Sequence, residues 1–400
     1  MQPYSKLPRS YKIFLAIVAF SALGFGLTSG VLSNYFKEVY DVSAYQRGLI
    51  EFPRETPGVL AIIFIALLSR FSDIRLSIIA QLLAIVGVMT LGLVTPPFGV
   101  MLIFIFINSA GHHLNMPLQD SIGMSLITTE NAGRQMGQYK GIQTAFAMIA
   151  SAIIFVGFRF DVFSFDTGVK WIFVVSAGIS LIAVVFLIVL DRLVHDPIKT
   201  DKRINFVFRK EYKYYYTLVV MYGVQKQIML VYGPWVLISL LDKKADTLAI
   251  LGIIGSFIGM FFIPKLGAWI DRFGTKKLLF ADALSFIGVY LVYGFISAGF
   301  SNGTLDKVGL PVLIAYGIFI IDRMSNQMGM IRTLYLRQIA VEKSDIMPTL
   351  SLGLSLDHIV SILCAVAGGV IWGAWGPEYI FYLTAALSLV NLFVAVKVKI

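Results

Sequence analysis

Residues 267–277 read GAWIDRFGTKK, a charged loop bracketed by glycines and set between the apolar runs LGIIGSFIGMFFI (251–263) and LLFADALSFIGVY (278–290). Gly267, with no Cβ, permits a helix end to approach a neighbour closely. Asp271 is placed to pair with a basic residue or a helix N-terminus. Gly274 suits the turn itself, and Arg272, Lys276 and Lys277 are the cations that hold a loop on one side of a bilayer.

The composition around this loop supports that setting. Of 400 residues, 58% are hydrophobic and only 14% charged, with a mean hydropathy of +0.81. Soluble domains run about 45–50% apolar and about 25% charged, so the chain reads as an integral membrane protein. Its apolar runs reach the roughly 20 residues that a spanning helix needs and lack the short alternating segments of a barrel. The net charge of +10 is the surplus of Lys and Arg expected in cytoplasmic loops, and nucleic acid is not an expected partner. One cysteine, Cys364, excludes an intrachain disulfide, and there is no CxxC or His/Cys cluster to hold a metal. The N-terminal apolar run is longer than a signal-peptide core, so it is expected to persist as a helix.

Twelve spans are predicted, near 11–35, 44–68, 75–94, 98–125, 135–157 and 170–191, then 212–240, 247–270, 277–299, 309–336, 346–373 and 377–396. A basic, proline-containing segment, 192–211, separates an N-terminal six-helix half (1–191) from a C-terminal one (212–400). Basic residues favour one set of loops: Lys6, Arg9, Arg70, Arg75, Arg134, the linker's Lys199, Lys202, Arg203 and Arg209, then Arg272, Lys276, Lys277, Lys343 and Lys399. The opposite loops hold few, among them Arg47 and Lys170. Both termini are therefore expected in the cytoplasm.

The halves echo each other. SRFSDIR (69–75) occupies in the first half the place of DRFGTKK (271–277) in the second, and Gly141 pairs with Gly353 at a similar shift. On GAWIDRFGTKK the chain resembles the major facilitator superfamily, whose loop pattern is Gly-x-x-x-Asp-Arg-x-Gly-x-Arg/Lys-Arg/Lys. That resemblance implies an all-α fold of two pseudo-symmetric six-helix halves, with a solute site between them. It also implies a conformational latch at Gly267, Asp271, Arg272, Gly274, Lys276 and Lys277. The first-half copy departs from the pattern, with Ile65 and Ser69 at the Gly and Asp positions. Span five lacks the Gly-Pro signature of the drug/proton antiporters. EFPRETPG (51–58), MPLQDSIGMSL (116–126) and SLGLSLDHIVS (351–361) are similar to a bacterial subgroup without an assigned substrate.

Charged side chains at membrane depth cost at least about 2.5–3.5 kcal/mol each, so they line cavities or find partners. Ser43 and Gln46 have capping-box spacing, which starts span two at Ala44. Glu51 and Glu55 then lie about 12 and 18 Å along the helix, with Arg54 one turn from Glu51 and able to pair with it. Pro53 and Pro57 are expected to bend the helix. Glu55, left over by the Glu51–Arg54 pair, is the first candidate proton carrier.

Span four offers His112, Asn115 and Gln119 on one face, with Asp120 a turn further. Span five offers Lys140 and Gln143; span seven, Tyr222, Gln225, Lys226 and Gln227; span ten, Asp322, Asn326 and Arg332; and span eleven, Asp357 beside His358. Asp357 and Asp322 join Glu55 as proton-coupling candidates. Under the repeat shift Asp120 falls opposite Arg332, an expected charge pair between the halves.

These residues suit a monomeric secondary transporter moving a small polar, zwitterionic or anionic solute across a bacterial inner membrane by alternating access. It needs no cofactor, and the proton gradient drives it. A lipid or lysolipid flippase on the same fold is the alternative. A sensor or assembly factor would be expected to add a soluble domain or long tail. An enzyme is not expected, because the sequence has no nucleophile elbow, P-loop or metal-ligand cluster.

Overall fold

A computed structural model describes residues 8–68, 70–127, 132–194, 198 and 207–398. Ser69, Lys6, Lys199, Lys202, Arg203 and Lys399, all used above, lie outside the described residues. The helices are α1 (Arg9–Ser29), α2 (Leu32–Tyr40), α3 (Ala44–Leu67), α4 (Asp73–Leu93), α5 (Phe98–Leu126), α6 (Ala132–Arg159) and α7 (Trp171–Leu193). They continue with α8 (Lys213–Ser239), α9 (Ala245–Phe273), α10 (Thr275–Asn302), α11 (Leu310–Gln327), α12 (Met330–Ile339), α13 (Ile346–Ala374) and α14 (Pro377–Lys397). No strand occurs among the described residues.

Nine helical segments among the described residues are long and apolar enough to cross a membrane. The helices outside that set are α3, α8 and the pair α11–α12. Polarity explains α3 and α8, which carry EFPRETPG and Gln225–Lys226–Gln227, while α11–α12 is interrupted.

Two expected spans are broken. The span predicted over 11–35 stops at Ser29 and resumes as α2, with Gly30 at the break, where a Cβ would sit 2.6 Å from Ile154 Cδ1 of α6. The span predicted over 309–336 parts at Met328–Gly329 into α11 and α12. In a membrane such an interruption persists only where protein or water satisfies the backbone.

The chain forms two compact units: Met1–Tyr40 with Thr56–Ile204, and Asp41–Glu55 with Asn205–Ile400. The division falls within α3, between Pro53 and Pro57, and α3 remains helical through both prolines. In the first unit α1 packs on α6 and α7, and α4 on α5 and α7. In the second, α8 packs on α13 and α14, and α10 on α11 and α14. These are the same pairs in repeat order, so the duplication expected from the two loops is expressed in the packing of each unit.

Buried polar ties fix the ends of the units. Lys170, expected on an exposed loop, is buried: its Nζ donates to the carbonyls of Phe165 (2.7 Å) and Thr167 (2.5 Å). Its N–H donates to Gly92 O at 2.7 Å, so the α6–α7 connection is pinned to the end of α4. Burial lowers its ammonium pKa. In the second unit Arg209 bridges Glu342 and Asp345, each at 2.7 Å, and the Tyr212 hydroxyl donates to Asp345 Oδ2 at 2.6 Å. The end of the linker is thereby fastened to the α12–α13 connection.

Candidate functional site

The polar face of α3 begins at the expected capping box. Ser43 N–H donates to Gln46 Oε1 (2.9 Å) and Gln46 N–H to Ser43 Oγ (3.2 Å). One turn on, Arg47 is buried within α3, where sequence reasoning had placed a loop charge. Its Nη1 donates to Glu51 Oε1 at 2.6 Å, and Arg54 Nη1 donates to the same oxygen at 2.7 Å. Gln227 of α8 donates to Glu51 Oε2 at 2.9 Å. Glu51 is 0% exposed, a buried carboxylate compensated by two guanidiniums and an amide. The i−4 spacing of Arg47 from Glu51 was the signal available for it.

Glu55 lies one turn further, and its Oε2 is 2.9 Å from His358 Nδ1 of α13. The neighbouring Asp357 turns to α8, where Lys226 Nζ donates to its Oδ2. The adjacent acid and imidazole of α13 thus serve two different partners. The two helices touch here without a spacer, since a Cβ on Gly223 of α8 would lie 2.9 Å from Asp357 Oδ1.

Deeper in the second unit Arg332 Nη1 donates to Asp282 Oδ2 at 2.7 Å, and its guanidinium lies over the Tyr222 ring, 3.9 Å from the centroid. Asp282 was missed, although a lone carboxylate in the apolar run FADALSF is itself an indication of a partner. Asn326 Nδ2 donates to Asp322 Oδ2 at 2.8 Å at the end of α11. Gln225, expected on the cavity, is instead a buried peg. Its Nε2 donates to Ser388 Oγ (2.6 Å), its Oε1 accepts from Asn391 (3.2 Å), and its carbonyl accepts from Tyr290 (2.6 Å). Its side chain thus ties α8 to α14, and its backbone carbonyl ties α8 to α10.

In the first unit Asp120 accepts from Lys140 Nζ (2.8 Å) and from the Tyr139 hydroxyl (2.5 Å). Each member of the expected Asp120–Arg332 pair has a partner inside its own unit, Lys140 for Asp120 and Asp282 for Arg332. Asn115 is buried and accepts from Ser77 at 2.5 Å, so it joins α4 to α5. Gln119 is buried one turn on, and Gln143 is half-buried on α6. The His112 ring sits edge-on to Phe25, with centroids 4.4 Å apart.

In the GAWIDRFGTKK loop the expected turn at Gly274 is present and the expected close approach at Gly267 is not. Gly274 has φ +82°, a backbone that side-chain-bearing residues rarely adopt, and it separates α9 from α10 as predicted. Lys276 Nζ donates to the carbonyls of Val398 (2.8 Å) and Val396 (3.3 Å), capping the end of α14. The close approach expected at Gly267 is absent: a Cβ there would meet nothing within 4 Å among the described residues. Leu266 and Ile270 form the buried stripe of this turn, and Gly267 lies off it. Asp271, Arg272 and Lys277 are exposed, with Arg272 over the Phe273 ring at 5.2 Å. In the first-half copy Asp73 supplies a carboxylate four residues after Ser69. It is buried, accepts from the Ser121 hydroxyl at 2.5 Å, and donates its N–H to Ile198 O at 2.9 Å. The paired glycines also differ: Gly353 makes room for the Tyr215 hydroxyl, 2.8 Å from a Cβ there, whereas Gly141 faces open space.

Described residues that are helical throughout, with nine segments long and apolar enough to cross a membrane and with buried ion pairs in the second unit, are those of a multi-pass membrane protein. The chain belongs to the Major Facilitator Superfamily, whose family model matches residues 14–339. Among solved structures it is similar to the nucleoside transporter NupG, with 14% identity, a TM-score of 0.75, and coverage of 98% of this chain and 99% of that one. It is similar as well to a POT family transporter in complex with 5-aminolevulinic acid, with 12% identity, a TM-score of 0.76, and coverage of 97% and 96%. A bacterial homologue of the iron transporter ferroportin matches with 13% identity, a TM-score of 0.73, and coverage of 97% and 98%. Comparison with curated proteins gives no match.

Proposed function

We propose that the protein is a secondary active transporter that moves a small polar, zwitterionic or anionic solute by alternating access. Proton movement drives it, and it works as a monomer in the cell membrane with both termini cytoplasmic. The observation that carries this reading is the Glu55–His358 pair. A carboxylate bonded to an imidazole can share, hold or release one proton, which a carboxylate bonded to Arg cannot do without breaking an ion pair. Glu51 beside it, occupied by Arg47, Arg54 and Gln227, is the fixed part of the same face. Asp357 and Asp322 are the further proton-coupling candidates.

The test is thermal stability of the purified protein in nanodiscs against pooled metabolites at two pH values. A ligand that binds only the folded state raises its melting temperature by mass action. A polar pool that stabilises, with an effect that changes with pH, is the expected result. Silence from every soluble pool, with a response to lipid alone, would instead favour a lipid or lysolipid flippase.

A further inference from the structure

α11 presents two exposed surfaces. One is aliphatic: Leu310, Leu313, Ile314 and Ile321 are exposed and fall within an arc of about 100°. The other carries Arg323 and Gln327, both exposed, with Arg323 about 140° around the helix from the centre of the aliphatic arc. Packed helices separate the two. On one side α9 meets α11 at both Arg323 and Met324: a Cβ on Gly255 would lie 2.6 Å from Arg323 Cδ, and one on Gly259 3.6 Å from Met324 Cε. On the other side Ser325 bonds Ser285 of α10 at 2.5 Å, and Asn326 O accepts from Tyr222 of α8 at 3.3 Å. The surface at Arg323 is therefore not a continuation of the aliphatic one.

Arg323 lies about 20 Å along the helix from Leu310 and about 24 Å from Ile339, in the middle of the interrupted span. Its stem rests in the notch at Gly255, and its guanidinium carbon is 5.2 Å from the centre of the Phe319 ring. It makes no hydrogen bond or ion pair among the described residues; the buried carboxylate of Asp322 acts on it only through space and is itself bonded to the Asn326 amide. Arg47, Arg54, Lys226 and Arg332 each hold a carboxylate, and Arg323 holds none. A guanidinium at membrane depth without such a partner belongs on a water-filled space, and charges so placed mark the path of a solute.

We infer that Arg323 is the anion contact of the transported solute, a soluble organic anion whose carboxylate or phosphate oxygens take the guanidinium fork. This rests on the transport reading above and narrows its solute class. Two parallel N–H groups of arginine match two oxygens of either group. The Gly255 notch and the Phe319 ring hold the side chain in place beforehand, so less freedom is lost when an anion arrives. Gln327 one turn on and the half-buried Tyr316 two turns back share the stripe, and they offer an amide and a hydroxyl to the rest of the solute.

The full chain is placed in phosphatidylcholine nanodiscs with Cys364, its only cysteine, changed to Ala. Arg323→Cys and Ile321→Cys are compared in this background with a negatively charged methanethiosulfonate reagent. A thiol needs water to ionise and react, so Arg323→Cys is expected to label about tenfold faster or more. Lactate, succinate and glycerophosphate, beside glycerol, are then tested for thermal stabilisation of the unsubstituted protein. At least one anion is expected to stabilise it, and Arg323→Gln should weaken that anion by about tenfold or more. Arg323→Lys keeps the charge without the fork; it should lose part of the binding, and it carries the test where the Gln variant does not fold. Labelling at Ile321→Cys as fast as at Arg323→Cys, an anion that ignores both substitutions, or a panel in which no soluble anion binds would overturn the assignment. In the last case, stabilisation by added phosphatidylglycerol would give the contact to a lipid phosphate instead. The two readings fail separately. Anions that bind through Arg323 but are never accumulated by proteoliposomes would remove transport and leave the contact. Accumulation of a neutral solute, unaffected by Arg323→Gln, would do the reverse.

Discussion

Glu55 Oε2 lies 2.9 Å from His358 Nδ1, although the two residues are 303 positions apart in the chain. The contact joins the early turns of α3 to α13, both in the second compact unit. It leaves Asp357, the residue before His358, to pair with Lys226 of α8. One turn of α13 therefore addresses two helices through two adjacent side chains that diverge by about 100°.

If Glu55 carries the coupled proton, Glu55→Gln keeps a hydrogen-bonding side chain toward His358 but can no longer titrate. Gradient-driven accumulation in proteoliposomes should disappear while exchange of internal for external solute continues. Loss of both, or of neither, would assign Glu55 a structural role.

Glu51 accepts from two guanidiniums, of the buried Arg47 and the half-buried Arg54, so removing it takes that partner from both. Breaking a buried ion pair from one side costs about 3–5 kcal/mol. Glu51→Ala should accordingly lower the melting temperature far more than Arg54→Ala, whose side chain is 25% exposed. Equal effects of the two substitutions would contradict the assignment of Glu51 as the centre of the cluster.

Asp120 and Arg332 have separate partners, and exchanging them should not restore stability lost in the single variants. Exchanging Asp282 and Arg332, which are 2.7 Å apart, should recover part of it. Melting temperatures of the three single variants and two double variants decide between the pairings, because only residues in contact show strong coupling.

The Tyr212 hydroxyl bond, followed by Arg209, holds the Asp345 carboxyl below the usual carboxylate range. A depressed folded-state pKa means that the contribution is complete above the ordinary value of about 3.9 and is lost only as pH falls through the lower folded value. Trypsin cleavage after Arg209 and Lys210 should therefore stay slow and unchanged between about pH 6 and 8. At neutral pH Asp345→Asn should accelerate it. Unaltered cleavage in that variant would show that the anchor does not protect the linker end.

What the sequence made legible was local. The Ser43–Gln46 box, the Glu51–Arg54 spacing and the Gly274 turn each depend on residues within one helical turn, and each is in place. Arg47 was equally local and was missed because its position near a loop suggested an exposed cation. Pairs that need two helices to meet, Glu55 with His358 and Arg332 with Asp282, have no spacing rule and were out of reach. The breaks at Gly30 and Gly329 were hidden for a different reason. A lone glycine between residues that all enter helices, such as Met328 and Met330 around Gly329, does not distinguish a continuous helix from one whose backbone is interrupted.

The ion-paired groups described on α3, α8, α10, α12 and α13 balance. Arg47, Arg54, Lys226 and Arg332 supply four positive charges, and Glu51, Glu55, Asp357 and Asp282 supply four negative ones. A membrane potential acts on net charge, at about 2.3 kcal/mol per elementary charge per 100 mV. With Glu55 ionised and His358 neutral, this set presents nothing for the voltage to pull on. Any voltage dependence of a step that displaces it then measures the charge of what has been added, a proton, a solute or both together.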